Sequence, residues 1–258
     1  MTTVRLSDLT AGIQPTTLLY LSDSYQRTCE SQVLKIAQEK KKRIYLILNH
    51  TIFHPKSGGQ PTDQGTLQSA SCTIDVRKAM FRKGIVIHYG KILHGSIDNA
   101  KLTGEIDWAR RYQFMKRHTA GHLLDHCLTH MTGTPVITTD SWLGDGCYVG
   151  YQGKAPSDRQ LKQAVQMANE WIQKDHPVIL ETVSAQELLR RAPDAPNVYR
   201  LPNLEAYRIV TIQGCTPIPC AGTHLRNIQE IAQMTISKIE QHDHNFRVYY
   251  DVTDSPGD

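Results

Sequence analysis

The sequence predicts an α+β protein: a small N-terminal β-barrel, then an α/β two-layer domain with helices against a mainly antiparallel sheet. Three observations carry this reading. Short runs rich in β-branched and aromatic residues, separated by Gly, Asp and Asn, occupy much of residues 43–89. A long helical pattern opens at Asp107 and is stopped by Gly133-Thr134-Pro135. Beyond it, helical and strand-like patterns alternate as far as residue 252.

Taken in order, a helix is expected over residues 24–36 and strands over 43–48, 66–68, 71–77 and 83–89. A boundary is expected within residues 98–104, dividing a barrel domain, 1–104, from a second domain, 105–258. The second domain begins with the helix 107–131. Residues 136–139 and 146–151 read as a hairpin pair. Ser157 caps a helix over 158–174, and Ser184 caps a short one ending at Arg191. A strand over 206–212, a Pro- and Gly-containing loop, and a hairpin of 234–238 with 246–252 complete the pattern. The tail beyond Asp251 carries no periodicity and is expected to be unstructured.

The chain has 258 residues, 40% hydrophobic and 21% charged, as in a soluble globular protein. No apolar run approaches the ~20 residues that span a bilayer. The first residues lack a charged-then-apolar signal pattern, so a cytoplasmic location is expected. Six cysteines are scattered without a compact disulfide framework and are expected to be free or metal-bound. The formal charge is +4, too small for a bulk nucleic-acid coat. Local pairs matter more, and Arg110-Arg111 and Lys116-Arg117 fall on the 107–131 helix.

That helix also carries His118-x-x-x-His122. Residues four apart share one helix face, so both imidazoles can grip a single ion. Cys220-x-x-x-His224 stands in a distant segment, where Pro217, Pro219 and Gly222 mark a loop. The four are donors of the types zinc prefers, and zinc takes four such donors in a tetrahedron. Each pair alone is a weak signal. The chain holds 12 histidines, and His126 and His130 continue the same stripe. A solvated histidine face, or a cysteine serving as apolar filler, reads each pair as well. A third stretch, Gly58-Gly59-Gln60, has two glycines that let backbone approach another surface, and an amide that both donates and accepts. A flexible turn with an exposed glutamine is its plainer reading.

Together these residues resemble the alanyl-tRNA editing proteins, free-standing relatives of the editing domain of alanyl-tRNA synthetase, in the form with an N-terminal barrel. The family's marks stand here as Ser-Gly-Gly-Gln at 57–60, His-Thr-Ala-x-His-Leu-Leu at 118–124 and Cys-x-Gly-Thr-His at 220–224, with a similar opening at 17–25. Their order and spacing fit nearly the whole chain. Two positions depart: Gly121 stands where threonine is usual, and Ala221 where glycine is usual. Gly121 costs the helix about 1 kcal/mol against alanine, and room beside a metal is one reason for it.

The resemblance implies a trans-editing hydrolase, an aminoacyl-tRNA deacylase, that cleaves the ester joining chiefly serine, and sometimes glycine, to tRNA(Ala). An alanine pocket cannot exclude glycine and only weakly rejects serine, so a second sieve is needed. One Zn2+ per chain is implied on His118, His122, Cys220 and His224, either activating water or orienting the substrate through its amino group. His118, His122, Cys220, Gln60 and Thr138 are the implied catalytic set. Thr138 or Thr139 is expected to read the serine hydroxyl, although plain β-branched strand residues are the alternative. Gly58, Gly59 and Gln60 would help close the pocket, and Arg110, Arg111, Lys116 and Arg117 would meet acceptor-stem phosphates. The expected partner is the acceptor end of mischarged tRNA(Ala), with no membrane and no obligate protein partner. Two alternatives stay open: a non-catalytic RNA-binding module with a structural zinc, and editing of another mischarged tRNA such as Ser-tRNA(Thr). The Gly-Gly-Gln segment argues against the latter.

Overall fold

The computed structural model describes residues 5–97 and 101–253. The chain forms two compact units, Met1–Ser57 with Pro61–Tyr112, and Gly58–Gln60 with Gln113–Asp258.

The first unit is a closed barrel, as the sequence predicts. After a short helix α1 (Leu6–Thr10) and strand β1 (Thr17–Leu18) come β2 (Thr28–Lys40), β3 (Arg43–Leu48), β4 (His50–Thr51), β5 (Gly65–Gln68), β6 (Cys72–Arg82), β7 (Ile85–Gly95) and β8 (Lys101–Ile106). The barrel order is β2-β3-β7-β6-β5-β8, and every pairing in it is antiparallel. Strand alternation sorts the side chains. Ile44, Leu46 and Leu48 of β3 join Leu67, Ile74, Val76 and Leu102 in one core. Ile47 points the other way, to Leu9, Ile85 and Ile87. That outer apolar patch is where α1 contributes Leu6 and Leu9.

One expectation is corrected here. The helix expected over 24–36 is largely the strand β2. Its Glu, Gln, Lys, Leu and Ala content suits a helix locally, but β2 is hydrogen-bonded along both edges, to β3 and β8. Ladder pairing outweighs propensities of tenths of a kcal/mol per residue. The division expected at 104/105 falls inside β8, which closes the barrel against β2 and β5. Residues 98–100 of that expected boundary lie outside the described residues, as do 254–258 of the tail. The two compact units divide between Tyr112 and Gln113.

The first unit contains a fully buried ion pair. Arg111 stands near the start of helix α2 (Trp108–Thr132) with none of its side chain exposed. Its Nε donates to both carboxylate oxygens of Asp63 at 3.0 and 3.1 Å. Nη1 donates to the Ser24 carbonyl at 3.0 Å and Nη2 to that of Ile52 at 2.6 Å. Nη2 also bonds Asp63. Arg111 is therefore no phosphate ligand: its fork is consumed inside its own unit.

The second unit continues with α2, then β9 (Thr138–Trp142), β10 (Tyr148–Gln152), α3 (Asp158–Ile172), β11 (Val178–Ser184), α4 (Ala185–Arg191), β12 (Ala206–Ile212), β13 (Ile218–Pro219), β14 (Gln233–His242) and β15 (Asn245–Thr253). One antiparallel sheet has the order β14-β15-β10-β9 and a second the order β11-β12-β13. Both hairpins form, Ser157 builds a full capping box with Gln160, and Ser184 caps α4. Strand β11 is additional to the sequence reading. Leu123 and Leu124 are fully buried, so the opposite face of α2 is left for chemistry.

Breaking the Arg111–Asp63 pair on one side leaves a buried charge without a partner. Arg111→Met should cost roughly 3–5 kcal/mol of unfolding free energy. The double variant Arg111→Met/Asp63→Leu should recover most of that loss in denaturant titrations. A single variant as stable as the parent would show that the pair is not desolvated.

Candidate metal centre

α2 presents His118 and His122 one turn apart, and the loop after β13 brings Cys220 and His224 to them. One donor atom from each of the four lies within 4.8 Å of every other. The Cys220 sulfur is 3.3 Å from Nε2 of His118 and 3.3 Å from Nε2 of His224. The rings crowd together, with centroids 4.2 Å apart for His118 and His224 and 5.0 Å for each of the other two pairs.

Each imidazole has a different neighbour on its other nitrogen. Nδ1 of His118 is 3.2 Å from Oε1 of Gln60. Nδ1 of His224 is 3.4 Å from the Thr119 hydroxyl. Nδ1 of His122 is 3.7 Å from the Asp125 carboxylate, whose other oxygen accepts from the Tyr151 hydroxyl at 2.8 Å. These partners favour a proton on Nδ1 and leave Nε2 as the free electron pair, the arrangement that metal-ligating histidines use. The Nε2 atom of His122 is buried without a hydrogen-bond partner among the described residues. A buried lone pair without a donor is costly unless a cation takes it.

The electrostatics agree. Burial works against ionisation of Cys220, yet the imidazoles crowded around it, His118 foremost, hold its thiol well below the ordinary thiol range. Burial and the neighbouring His118 keep His224 neutral, far below the usual imidazole value. Burial also opposes protonation of His122, but Asp125 and Cys220 overcome it and push the imidazole up to about 9. Once an ion displaces the proton that Asp125 and Cys220 favour on His122, a thiolate beside imidazoles is the donor set a soft or borderline divalent ion binds. The residues fit such an ion.

The loop is held open for this purpose. Arg208 on β12 donates to the carbonyls of Cys220 and Gly222 at 2.7 and 3.0 Å. Asn197 donates to that of Pro219 at 2.7 Å. Gln60 bridges helix and loop: its Nε2 donates to the Thr223 hydroxyl at 2.8 Å, and its Oε1 accepts from the Thr223 amide at 3.1 Å. A Cβ on Gly222 would sit 2.2 Å from Cε1 of His118 and 3.0 Å from Oε1 of Gln60, so only glycine fits. Gly59, at φ +82, is similarly required, since a Cβ there would meet the carbonyl of Ser141 at 2.4 Å. Gly58 and Gly59 hydrogen-bond with Ser141 and Leu143. The plainer reading of Gln60 as exposed is thus replaced: it is wholly buried.

Other expected residues are engaged by partners of their own or buried. The Thr138 hydroxyl donates to the Pro196 carbonyl at 3.1 Å and accepts from Arg200 at 2.8 Å. The Thr139 hydroxyl donates to Asp140 at 3.2 Å. Neither has its proton available for a serine hydroxyl. Lys116 is buried. Arg117 ties α2 to β15 through Asp251, at 2.9 and 3.1 Å, and donates to the Leu143 carbonyl. Of the four expected phosphate ligands only Arg110 keeps appreciable surface, and its Nε donates to the Thr62 carbonyl at 3.2 Å. The sequence reading placed Thr119, Gly222 and Thr223 in motifs without giving them a role at the site, and it missed Asp125. Asp125 had a usable signal, standing three residues after His122 on the same helix face. Gly121 makes room for the Tyr250 hydroxyl rather than for a metal: a Cβ would lie 2.7 Å from it. That hydroxyl donates to the Arg117 carbonyl at 2.8 Å. The other departure, Ala221, is exposed.

The comparisons with known proteins define the class as that of the aminoacyl-tRNA editing proteins. The family model described as tRNA synthetases class II (A) matches residues 17–110. Relatives named alanyl-tRNA editing protein AlaX-M match at 31% identity in Methanosarcina barkeri and 32% in Methanosarcina acetivorans, each over 93% of this chain and all of the relative. The alanine–tRNA ligase of Pyrobaculum calidifontis is 27% identical over 90% of this chain and 26% of its own length. The chain belongs to the alanyl-tRNA editing protein family.

Gly222→Ala should force the His118 ring out of line. Its metal affinity should fall by about 10–100-fold, read by competition with a chromophoric chelator. Ala221→Gly, at an exposed site, should load like the parent. Full loading of Gly222→Ala would contradict the packing described.

Proposed function

We propose that this chain removes serine, and by the same chemistry glycine, from mischarged tRNA(Ala), using one zinc ion held by His118, His122, Cys220 and His224. The convergence of those four donor atoms within 4.8 Å carries the reading. As a member of the alanyl-tRNA editing family, the chain is an aminoacyl-tRNA deacylase. Zinc in such a site supplies Lewis acidity, for water or for the substrate's amino end.

The protein's own residues set the conditions. Gln60 and Thr223 fix the His118 ring, Thr119 the His224 ring, and Asp125 faces the outer nitrogen of His122. His224 is almost wholly buried, while Cys220 and the adjacent Ala221 reach solvent, so substrate approaches over the loop. Gly58 and Gly59 border that approach, and Arg110 is the surviving candidate for an acceptor-stem phosphate. The chemistry is assigned to the second unit, corresponding to the editing domain expected at 105–258, with the barrel domain expected at 1–104 supporting tRNA binding. The working partner is the acceptor end of tRNA, and the place of work is the cytoplasm, where tRNA is charged.

The test is hydrolysis of seryl-, glycyl- and alanyl-tRNA(Ala) by the purified protein. Seryl-tRNA(Ala) should be cleaved, correctly charged alanyl-tRNA(Ala) spared, and the activity lost after chelation and restored by zinc. His118→Ala or Cys220→Ala should lower the rate by at least about 10³-fold. Robust zinc binding with no hydrolysis of any mischarged tRNA would instead assign a structural zinc in an RNA-binding module.

A further inference from the structure

The cations the sequence offered for phosphate are mostly consumed internally, which leaves the question of where this protein holds a polyanion. Charge is divided unevenly. The barrel unit contains sixteen Lys and Arg against nine Asp and Glu, a formal +7. The second unit contains thirteen against sixteen, a formal −3. A chain of modest net charge thus conceals one strongly basic unit.

On the barrel the excess is gathered at one place. β2 and β3 are joined by a two-residue turn, with Lys40 paired to Arg43 and Lys41-Lys42 at the tip. Two-residue hairpin turns favour Gly, Asn or Asp. Lysine at both tip positions serves no turn geometry. The Lys42 carbonyl accepts from the Ile92 amide at 2.8 Å, which holds the tip against β7. Arg43 lies directly opposite Lys91 across the β3–β7 ladder. Like charges in that position destabilise a sheet, and Asp75, opposite Lys91 on its other side, offsets this for one of the two cations. Arg43, Arg77 and Lys91, with Tyr89 and Gly90, line a recess of about 380 Å³. Lys40, Lys41, Lys42, Arg43, Arg77 and Lys91 are all exposed. Two carboxylates are nearby. Asp75 pairs with Arg77 at 2.5 Å, and Glu39 accepts from the hydroxyls of Tyr89 and Tyr45 at 2.8 and 3.1 Å. Six cations against two acids leave the face strongly positive.

We propose that this face of the barrel, from the Lys40–Arg43 turn to Lys91 and Arg77, binds the phosphate backbone of RNA, as a second attachment for the tRNA substrate beyond its aminoacyl end. The proposal rests on the function proposed above for the choice of RNA as the polyanion. Fixed positive charges along a concave face capture phosphates by releasing counterions, and the mark of this is steep salt dependence. The recess admits a backbone phosphate between Arg43 and Lys91, while the lysine tip reaches a neighbouring one.

The test uses the full chain and uncharged, fluorescently labelled tRNA(Ala), with anisotropy titrations from about 50 to about 200 mM KCl. Lys41→Glu/Lys42→Glu and Arg43→Gln/Lys91→Gln change only exposed side chains, and near-UV circular dichroism checks their fold. Each double variant should weaken binding at low salt by about tenfold or more, and should make the log–log salt slope shallower by about 0.9 for each phosphate no longer neutralised. Lys162→Glu, an exposed charge of the other unit, should leave both unchanged. Parent-like affinity and slope in the barrel variants would overturn the proposal. Loss of binding in a protein that deacylates nothing would uphold this surface while refuting the editing reading. Hydrolysis with binding indifferent to these charges would do the reverse.

Discussion

Three imidazoles and a thiolate are packed within one small volume, and this crowding is the constraint on which the second unit is organised. The donor atoms face one another, and the buried Nε2 of His122 has no hydrogen-bond partner among the described residues. Every neighbouring feature keeps those donors aimed inward. Gln60, Thr119 and Asp125 occupy the outer nitrogens, Arg208 and Asn197 hold the loop backbone, and Gly222 removes the one Cβ that would separate loop from helix. A metal centre with such outer support is rigid before the ion arrives, and a rigid site places the reacting ester more accurately than a flexible one.

The helix carrying two of the donors has its own support. Arg117, immediately before His118, is clamped to Asp251 and to the Leu143 carbonyl, and Tyr250 bonds the carbonyl of the same Arg117. Glycine at 121 admits that tyrosine, so the roughly 1 kcal/mol it costs as a helix former is offset by a buried hydrogen bond. The departure from the family pattern thus concerns packing behind the metal helix.

Much of this was legible from residues alone, and the reasons are particular. The ligand set could be read because helical spacing puts His118 and His122 on one face, and because thiolate and imidazole are zinc's donors. The barrel could be read from β3, β6 and β7, which are short runs rich in β-branched and aromatic residues between turn residues. β2 could not, because its residues favour a helix in isolation and only pairing on both edges makes them a strand. Charged residues were the least readable. Arg111 and Arg117 look like surface cations in sequence, yet Asp63 and Asp251, remote in the chain, claim them. The same remoteness hid the structural role of Gln60, whose partners are His118 and Thr223. The basic turn at Lys40–Arg43 was visible as a run, but its alignment with Lys91 and Arg77 depends on the barrel register.

The most direct measurement is X-ray absorption at the metal edge of the zinc-loaded protein. One ion per chain should show three nitrogen donors at about 2.0 Å and one sulfur at about 2.3 Å, with the sulfur lost in Cys220→Ser and one nitrogen in His122→Ala. A coordination shell without sulfur, or one unchanged by both substitutions, would mean that the two segments do not share an ion.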